Sequence, residues 1–151
     1  MKKNKNILNL NNARKKNQAD VMKKILNDGT CPFCEKNIEK YHSKPILFKT
    51  ERWIVTENAW PYNGTKKHWL IIYKFHIENI KEIDEKGWKD IGEIFNRLDK
   101  EEGLDYGVFL MRFGDTTKTG ATVLHVHLQL VQSDTDSASY DPEVGVTTRI
   151  G

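Results

Sequence analysis

The sequence predicts an α+β protein: an antiparallel sheet of about five strands carrying one long amphipathic helix, with a second, short helix near the N-terminus. Three observations carry this. Only one stretch, Ile80 to Glu102, sustains a helical apolar period over more than twenty residues. Five short β-like runs are spread along the rest of the chain and joined by hairpin-length connections, which favours antiparallel pairing. At 151 residues there is room for one ordinary domain with a real core.

In chain order, residues 1–17 come first and hold six basic residues (Lys2, Lys3, Lys5, Arg14, Lys15, Lys16) and no acid. They read as a disordered basic arm. Ile7, Leu8 and Leu10 are interrupted by asparagines and make no signal-peptide core. Without the arm, eighteen basic residues face twenty-one acidic ones, so the body is mildly acidic although the whole chain is +3. From Gln18 to Asn27, Val21, Met22, Ile25 and Leu26 stand at helical spacing, and Gly29 suits the stop. Cys31-Pro32-Phe33-Cys34 follows as a tight turn. Ile46–Lys49, Trp53–Glu57 and Trp69–Tyr73 read as strands, with Pro61-Tyr62-Asn63-Gly64 turning between the last two. The long helix presents Ile80, Ile83, Trp88, Ile91, Phe95 and Leu98 on one face and stops before Gly103. Strands near Tyr106–Phe113 and Val123–Val131 flank a Gly/Thr-rich loop from Gly114 to Thr122. The domain is bounded at 18–132. Residues 133–151 are a tail in which Val144, Val146 and Ile150 allow a short closing strand.

Mean hydropathy is −0.66 and no apolar run is long enough to span a bilayer. A cytoplasmic location is expected, because two cysteines three positions apart cannot staple a secreted fold. In a reducing compartment such a pair binds metal or works in redox chemistry, and no thioredoxin-like βαβ pattern follows it to favour the second. His42 is a rival ligand in a compact finger, but no second histidine lies beyond it at finger spacing, so it reads as an exposed loop residue.

The run His125-Val126-His127-Leu128-Gln129-Leu130-Val131 puts three polar side chains on one face of an otherwise apolar strand. It resembles the signature of the histidine triad (HIT) superfamily in its Gln form, His-x-His-x-Gln, the branch that includes galactose-1-phosphate uridylyltransferase and diadenosine tetraphosphate phosphorylases. The resemblance covers about residues 31 to 131 and implies a HIT-like fold. It also implies structural zinc on Cys31, Cys34, His76 and His125, with His127 as nucleophile. His68 falls at the histidine that commonly starts a strand in the family and reads as structural.

The implied reaction is in-line attack by neutral His127 on a nucleotide α-phosphate, giving a covalent nucleotidyl-histidine that a second in-line attack releases. Gln129 donates hydrogen bonds but cannot titrate, which suits a phosphate or sugar-phosphate acceptor better than water. Gln129 serving only the backbone remains open. Gly120 and Thr122 are expected at phosphate oxygens and Asn58 at ribose hydroxyls, by analogy with relatives. Gly114 departs from an asparagine of many hydrolase relatives, a role Lys118 or Arg112 can fill. Trp60 and Tyr62 can flank a base or simply pack.

A nucleotidyltransferase or dinucleoside polyphosphate phosphorylase, homodimeric like single-domain relatives, is therefore the leading expectation. A HIT-type hydrolase of phosphoramidates or dinucleotides is the first alternative. A non-enzymatic zinc module binding nucleic acid through its basic arm is the second, disfavoured because the arm lacks aromatic residues for base stacking.

Overall fold

The computed structural model describes residues 7–151. Five strands form one antiparallel sheet in the order β1-β2-β3-β5-β4: β1 Ile46–Lys49, β2 Trp53–Glu57, β3 Thr65–Tyr73, β4 Val108–Arg112 and β5 His127–Ser133. The helices are α1 Lys16–Asp28, α2 Glu35–Tyr41, α3 Glu85–Glu102 and the single turn α4 Thr116–Thr119. Among the described residues, no helix is long and apolar enough to cross a membrane.

Side chains that alternate along the strands give the sheet two different faces. Trp53 and Val55 of β2, Trp69, Ile71 and Tyr73 of β3, and Leu128 and Leu130 of β5 pack with Ile94 and Leu98 of α3. Ile94 and Leu98 are completely buried, and each contributes roughly 2–3 kcal/mol by leaving water. Ile54, Leu70 and Ile72 occupy the opposite face beneath Ile38 of α2. A smaller cluster seats α1: Met22 and Ile25 pack with Leu8, Cys31 and Val123.

The short N-terminal helix ends as expected, with Gly29 in the left-handed region at φ 65° and its N–H capping Ile25. The long helix differs in two ways. Residues Ile80–Glu82 form a separate 3-10 turn with its own capping box from Asn79 and Glu82, and α3 begins only after Asp84, whose carboxylate accepts from the Gly87 N–H at 2.7 Å. The helix also turns a different residue inward at its start. The Gly87 carbonyl accepts from the Trp53 indole at 2.8 Å, and a side chain there would meet Ile83 and Tyr73 within 3 Å. Trp88, expected on the buried face, is therefore 45% exposed. Asp90 is completely buried instead, where it accepts from the Arg52 N–H at 3.0 Å and from the Lys86 ammonium.

The two ends of the described chain make contacts with the domain. Residues 1–6 of the expected disordered arm lie outside the described residues. Part of 7–17 is packed, for Leu8 bridges to Val123 and buried Asn12 donates to the carbonyls of Thr116 and Ala121 at 3.0 and 2.7 Å, while residues 14–17 are exposed. No closing strand forms over 144–150, where the chain makes turns and leaves Val144 and Ile150 exposed. The tail folds back all the same, and the Thr148 hydroxyl accepts from Arg112 at 2.8 Å.

Candidate functional site

Strand β5 does not begin where the apolar alternation begins. The His125 N–H turns back to the Val123 carbonyl, the Val126 N–H goes to Ile77, and the Val126 carbonyl accepts from Tyr73. These bonds bend the chain at His125, so it stands ahead of the strand rather than in one row with His127 and Gln129. The segment after β3 bends around the same point, and His76 lies three residues beyond the strand end with its ring centroid 5.3 Å from that of His125.

The Cys-Pro-Phe-Cys turn meets this bend. Its shape is held by Asn37, which donates to the Cys31 carbonyl at 2.8 Å, and by the start of α2, a helix not anticipated from sequence. Cys31 Sγ comes within 3.4 Å of His125 Nδ1, and Cys34 Sγ within 3.6 Å of His76 Nδ1. All four ligand atoms lie within 4.8 Å of one another, a cluster capable of holding a metal ion. The second nitrogen of each imidazole is also placed. His125 Nε2 faces the Tyr73 carbonyl at 2.6 Å and His76 Nε2 the Glu78 carboxylate at 3.7 Å, the outer partners that orient ligating histidines. Burial pushes the Cys31 thiol up to about 12, so a thiolate there calls for a cation beside it.

His127 and Gln129 sit on the sheet face away from α3, opposite Ile72 and Leu70 of β3 and opposite Arg112 and Leu110 of β4. They line a cavity of about 270 Å³ between the sheet and α1, closed by the Cys-Pro-Phe-Cys turn, residues 8–14 and the tail. His127 Nδ1 lies 2.7 Å from the His125 carbonyl. Since a carbonyl only accepts, the proton is on Nδ1 and the lone pair on Nε2. Burial lowers the His127 pKa to about 4, helped by the positive charge of Arg112, so the ring is neutral at physiological pH. The Phe33 ring stands edge-on to it, with centroids 5.2 Å apart.

Gln129 is oriented from β3. His68 Nδ1 accepts from the Tyr62 N–H at 3.1 Å, which puts the ring proton on Nε2, 2.7 Å from Gln129 Oε1. The amide oxygen is thereby committed and the NH₂ group is left to donate elsewhere. This function of His68 went unread in the sequence, where the residue looked only structural. His42 is not an exposed loop residue either: it is half-buried, contacts the Thr56 hydroxyl at 2.8 Å and lines the cavity.

Asn58, Gly120 and Thr122 also line the cavity. Asn58 closes a local turn by accepting from the Trp60 N–H at 2.8 Å. Gly120, at φ 70°, ends α4 where the tail crosses, and a Cβ there would lie 2.5 Å from the Arg149 carbonyl oxygen. Its missing side chain thus admits the tail as well as opening the loop.

No family model matches the chain, and no curated protein matches it. Solved structures do. A histidine triad nucleotide-binding protein from Candida albicans superposes with a TM-score of 0.58 at 22% identity, covering 81% of this chain and 83% of that one. A hypothetical protein from Leishmania major gives 0.57 at 20% identity over 82% of each chain. A HIT family hydrolase from Clostridium thermocellum gives 0.50 at 27% identity over 68% of this chain and 90% of that one. The chain thus has the general fold of the histidine triad superfamily.

Proposed function

We propose that this protein is a nucleotidyltransferase or dinucleoside polyphosphate phosphorylase of the Gln-type branch, working through a covalent nucleotidyl-His127 intermediate. The observation that carries the reading is the tautomer lock, Nδ1–H of His127 on the His125 carbonyl at 2.7 Å, which makes Nε2 a neutral nucleophile in a cavity. In the first step the Nε2 lone pair attacks the α-phosphorus in line. A P–N bond forms, the P–O bond to the leaving phosphate breaks, and that oxygen keeps the electron pair. In the second step an acceptor oxygen attacks from the vacated side and the electron pair returns to Nε2, with overall retention. The Gln129 amide donates to a non-bridging oxygen in both steps. The amide cannot titrate and so cannot take a proton from an attacking water, so an acceptor that is already an anion, such as phosphate or a sugar phosphate, is preferred.

The reading includes structural zinc held by Cys31, Cys34, His76 and His125. Zinc–sulfur bonds of about 2.3 Å and zinc–nitrogen bonds of about 2.0–2.1 Å at the tetrahedral angle separate S from N by about 3.6 Å. The two Cys–His pairs here are 3.4 and 3.6 Å apart. The ion would stabilise two thiolates and fix His125, whose carbonyl in turn sets His127. Asn58, Gly120 and Thr122 are the proposed ribose and phosphate contacts. A homodimer through the edge strand β4 completes the proposal, because Val108 and Phe109 on that edge are 70% and 56% exposed. Sedimentation of a Phe109→Glu variant as a monomer, beside a dimeric parent, is the check.

The second reading, hydrolysis, is favoured by the similarity to the Clostridium thermocellum protein, described as a hydrolase. Product analysis separates the two. With a dinucleoside polyphosphate and millimolar phosphate the transferase forms nucleoside diphosphate, and with a sugar phosphate it forms a nucleotide sugar. Monophosphate formed equally fast with no acceptor present would place the protein with the hydrolases.

A further inference from the structure

The cavity is strongly positive inside a body that is mildly acidic. Arg14, Arg112 and Arg149 line it, and among the described residues no carboxylate does. Arg112 is 5% exposed on β4, directly across from His127, and two residues directly opposite in an antiparallel pair share a face. Its guanidinium donates to the Thr119 carbonyl and to the hydroxyls of Thr148 and Tyr62, at 2.8 Å and 3.4 Å for the last two. All three partners are neutral. Among the described residues neither Arg112 nor Arg14 has an ion pair.

Tyr62 joins the two cations. The Arg14 guanidinium carbon lies 4.3 Å from the centroid of the Tyr62 ring and its N–H reaches the Trp60 carbonyl, while Arg112 meets the hydroxyl end of the same ring. Tyr62 leans on His68 at 4.4 Å between centroids, and His68 holds Gln129. Desolvation lowers the Arg14 pKa, and the charge of Arg112 lowers it further. Two like charges held this close, one of them buried, leave an uncompensated cost that an anion between them would remove. A guanidinium suits the task because its fork of N–H groups matches phosphate oxygens in pairs.

We infer that Arg112 and Arg14 form a second phosphate subsite beside the His127 position, taking the distal phosphates of a polyphosphate chain. The inference rests on the nucleotidyl-transfer reading and deepens it, since it makes a substrate with two or more linked phosphates the preferred one. The polyphosphate lies with its α-phosphorus at His127 and its next phosphates toward Arg112, and the Thr148 hydroxyl yields its place on Arg112 to a phosphate oxygen. Arg14 and Thr148 belong to the two ends of the chain, so this subsite is built by segments outside the histidine signature.

The test is binding of tripolyphosphate and of orthophosphate to the full, metal-loaded chain by calorimetry. Neither probe carries a nucleoside, so the outcome does not depend on the base or on turnover. The expected result is tripolyphosphate bound at least ten times more tightly than orthophosphate. That preference should fall by fivefold or more in Arg14→Gln and in Arg112→Gln, and persist in Lys66→Gln, a change of an exposed lysine outside the cavity. Where Arg112→Gln fails to fold, Arg112→Lys keeps the charge without the fork, and a threefold or greater loss is expected. Equal affinity for the two probes, or a preference that survives both arginine changes, overturns the subsite. Tripolyphosphate binding that is intact while no nucleotidyl adduct ever forms would instead sink the transfer reading and leave the anion site standing.

Discussion

His125 and His127 are two residues apart and both are buried, yet their surroundings are different. His125 stands in a bend, with Nδ1 toward Cys31 and Nε2 on the Tyr73 carbonyl, so both nitrogens are committed. His127 opens a regular strand with only Nδ1 committed, and what commits it is the His125 carbonyl. In the proposed reading the metal cluster and the transfer site are one construction: the ion would fix His125, and the His125 carbonyl fixes the tautomer of His127. An imidazole with one nitrogen free can accept a new bond, and one with both nitrogens engaged can only hold its neighbours.

The widest separation of the two roles comes from exchanging them. His127→Ala should lower nucleotidyl transfer by about a thousandfold or more while one metal ion per chain is retained, because it removes the nucleophile and no ligand. Cys31→Ser or His125→Ala should do the reverse in order of cause: the metal is lost first, measured by elemental analysis, and the melting temperature falls with it, by roughly 3–5 kcal/mol of stability. A Cys31→Ser protein with unchanged melting temperature would break the link between the two regions.

A smaller effect is expected one step further out. His68→Phe keeps the ring volume but frees Gln129 to rotate, so transfer should drop about ten- to a hundredfold with metal content unchanged. A Gln129→His change in the parent should move products toward hydrolysis. The loss in His68→Phe should appear in kcat more than in KM, which a packing defect alone would not select.

The smallest effect is on acid stability. Burial holds His68 and His127 near 4 in the folded chain, below the ordinary value of about 6.5. The unfolded chain therefore takes up protons first as the pH falls. Stability from these two groups is complete above about pH 6.5 and is lost on going down through about pH 4, by roughly 1–3 kcal/mol for each. Denaturant midpoints between pH 7 and 4.5 should fall less steeply in His68→Phe than in the parent.

Much of this arrangement was legible in the sequence, for reasons that differ by residue. Cys31 and Cys34 could be named from their spacing, whereas His76 and His125 could be named only through the resemblance of the histidine run to the HIT signature. The sheet could be named because β2, β3 and β5 carry β-branched, apolar residues that leave no helical alternative. Helix α2 was missed because Glu35–Tyr41 contains one buried apolar residue, Ile38, too few to set a period. The bend at His125 was missed because the alternation of residue types continues through it, while the backbone bonds that break the strand come from Tyr73 and Ile77, some fifty residues away. Arg14 and Thr148 were missed for the same reason: neither stands in a periodic segment, and only the closed fold brings them beside Arg112.

The central claim is that the lone pair on His127 Nε2 accepts the nucleotide. Incubation of the metal-loaded chain with a panel of dinucleoside polyphosphates and UDP-sugars, followed at once by intact mass and peptide mapping under alkaline conditions that preserve phosphoramidates, tests it most directly. The account predicts one added nucleoside monophosphate per chain, mapped to His127, discharged by phosphate or a sugar phosphate and absent from His127→Ala. An adduct on another residue, or rapid turnover with no adduct in the parent and undiminished in His127→Ala, would contradict it.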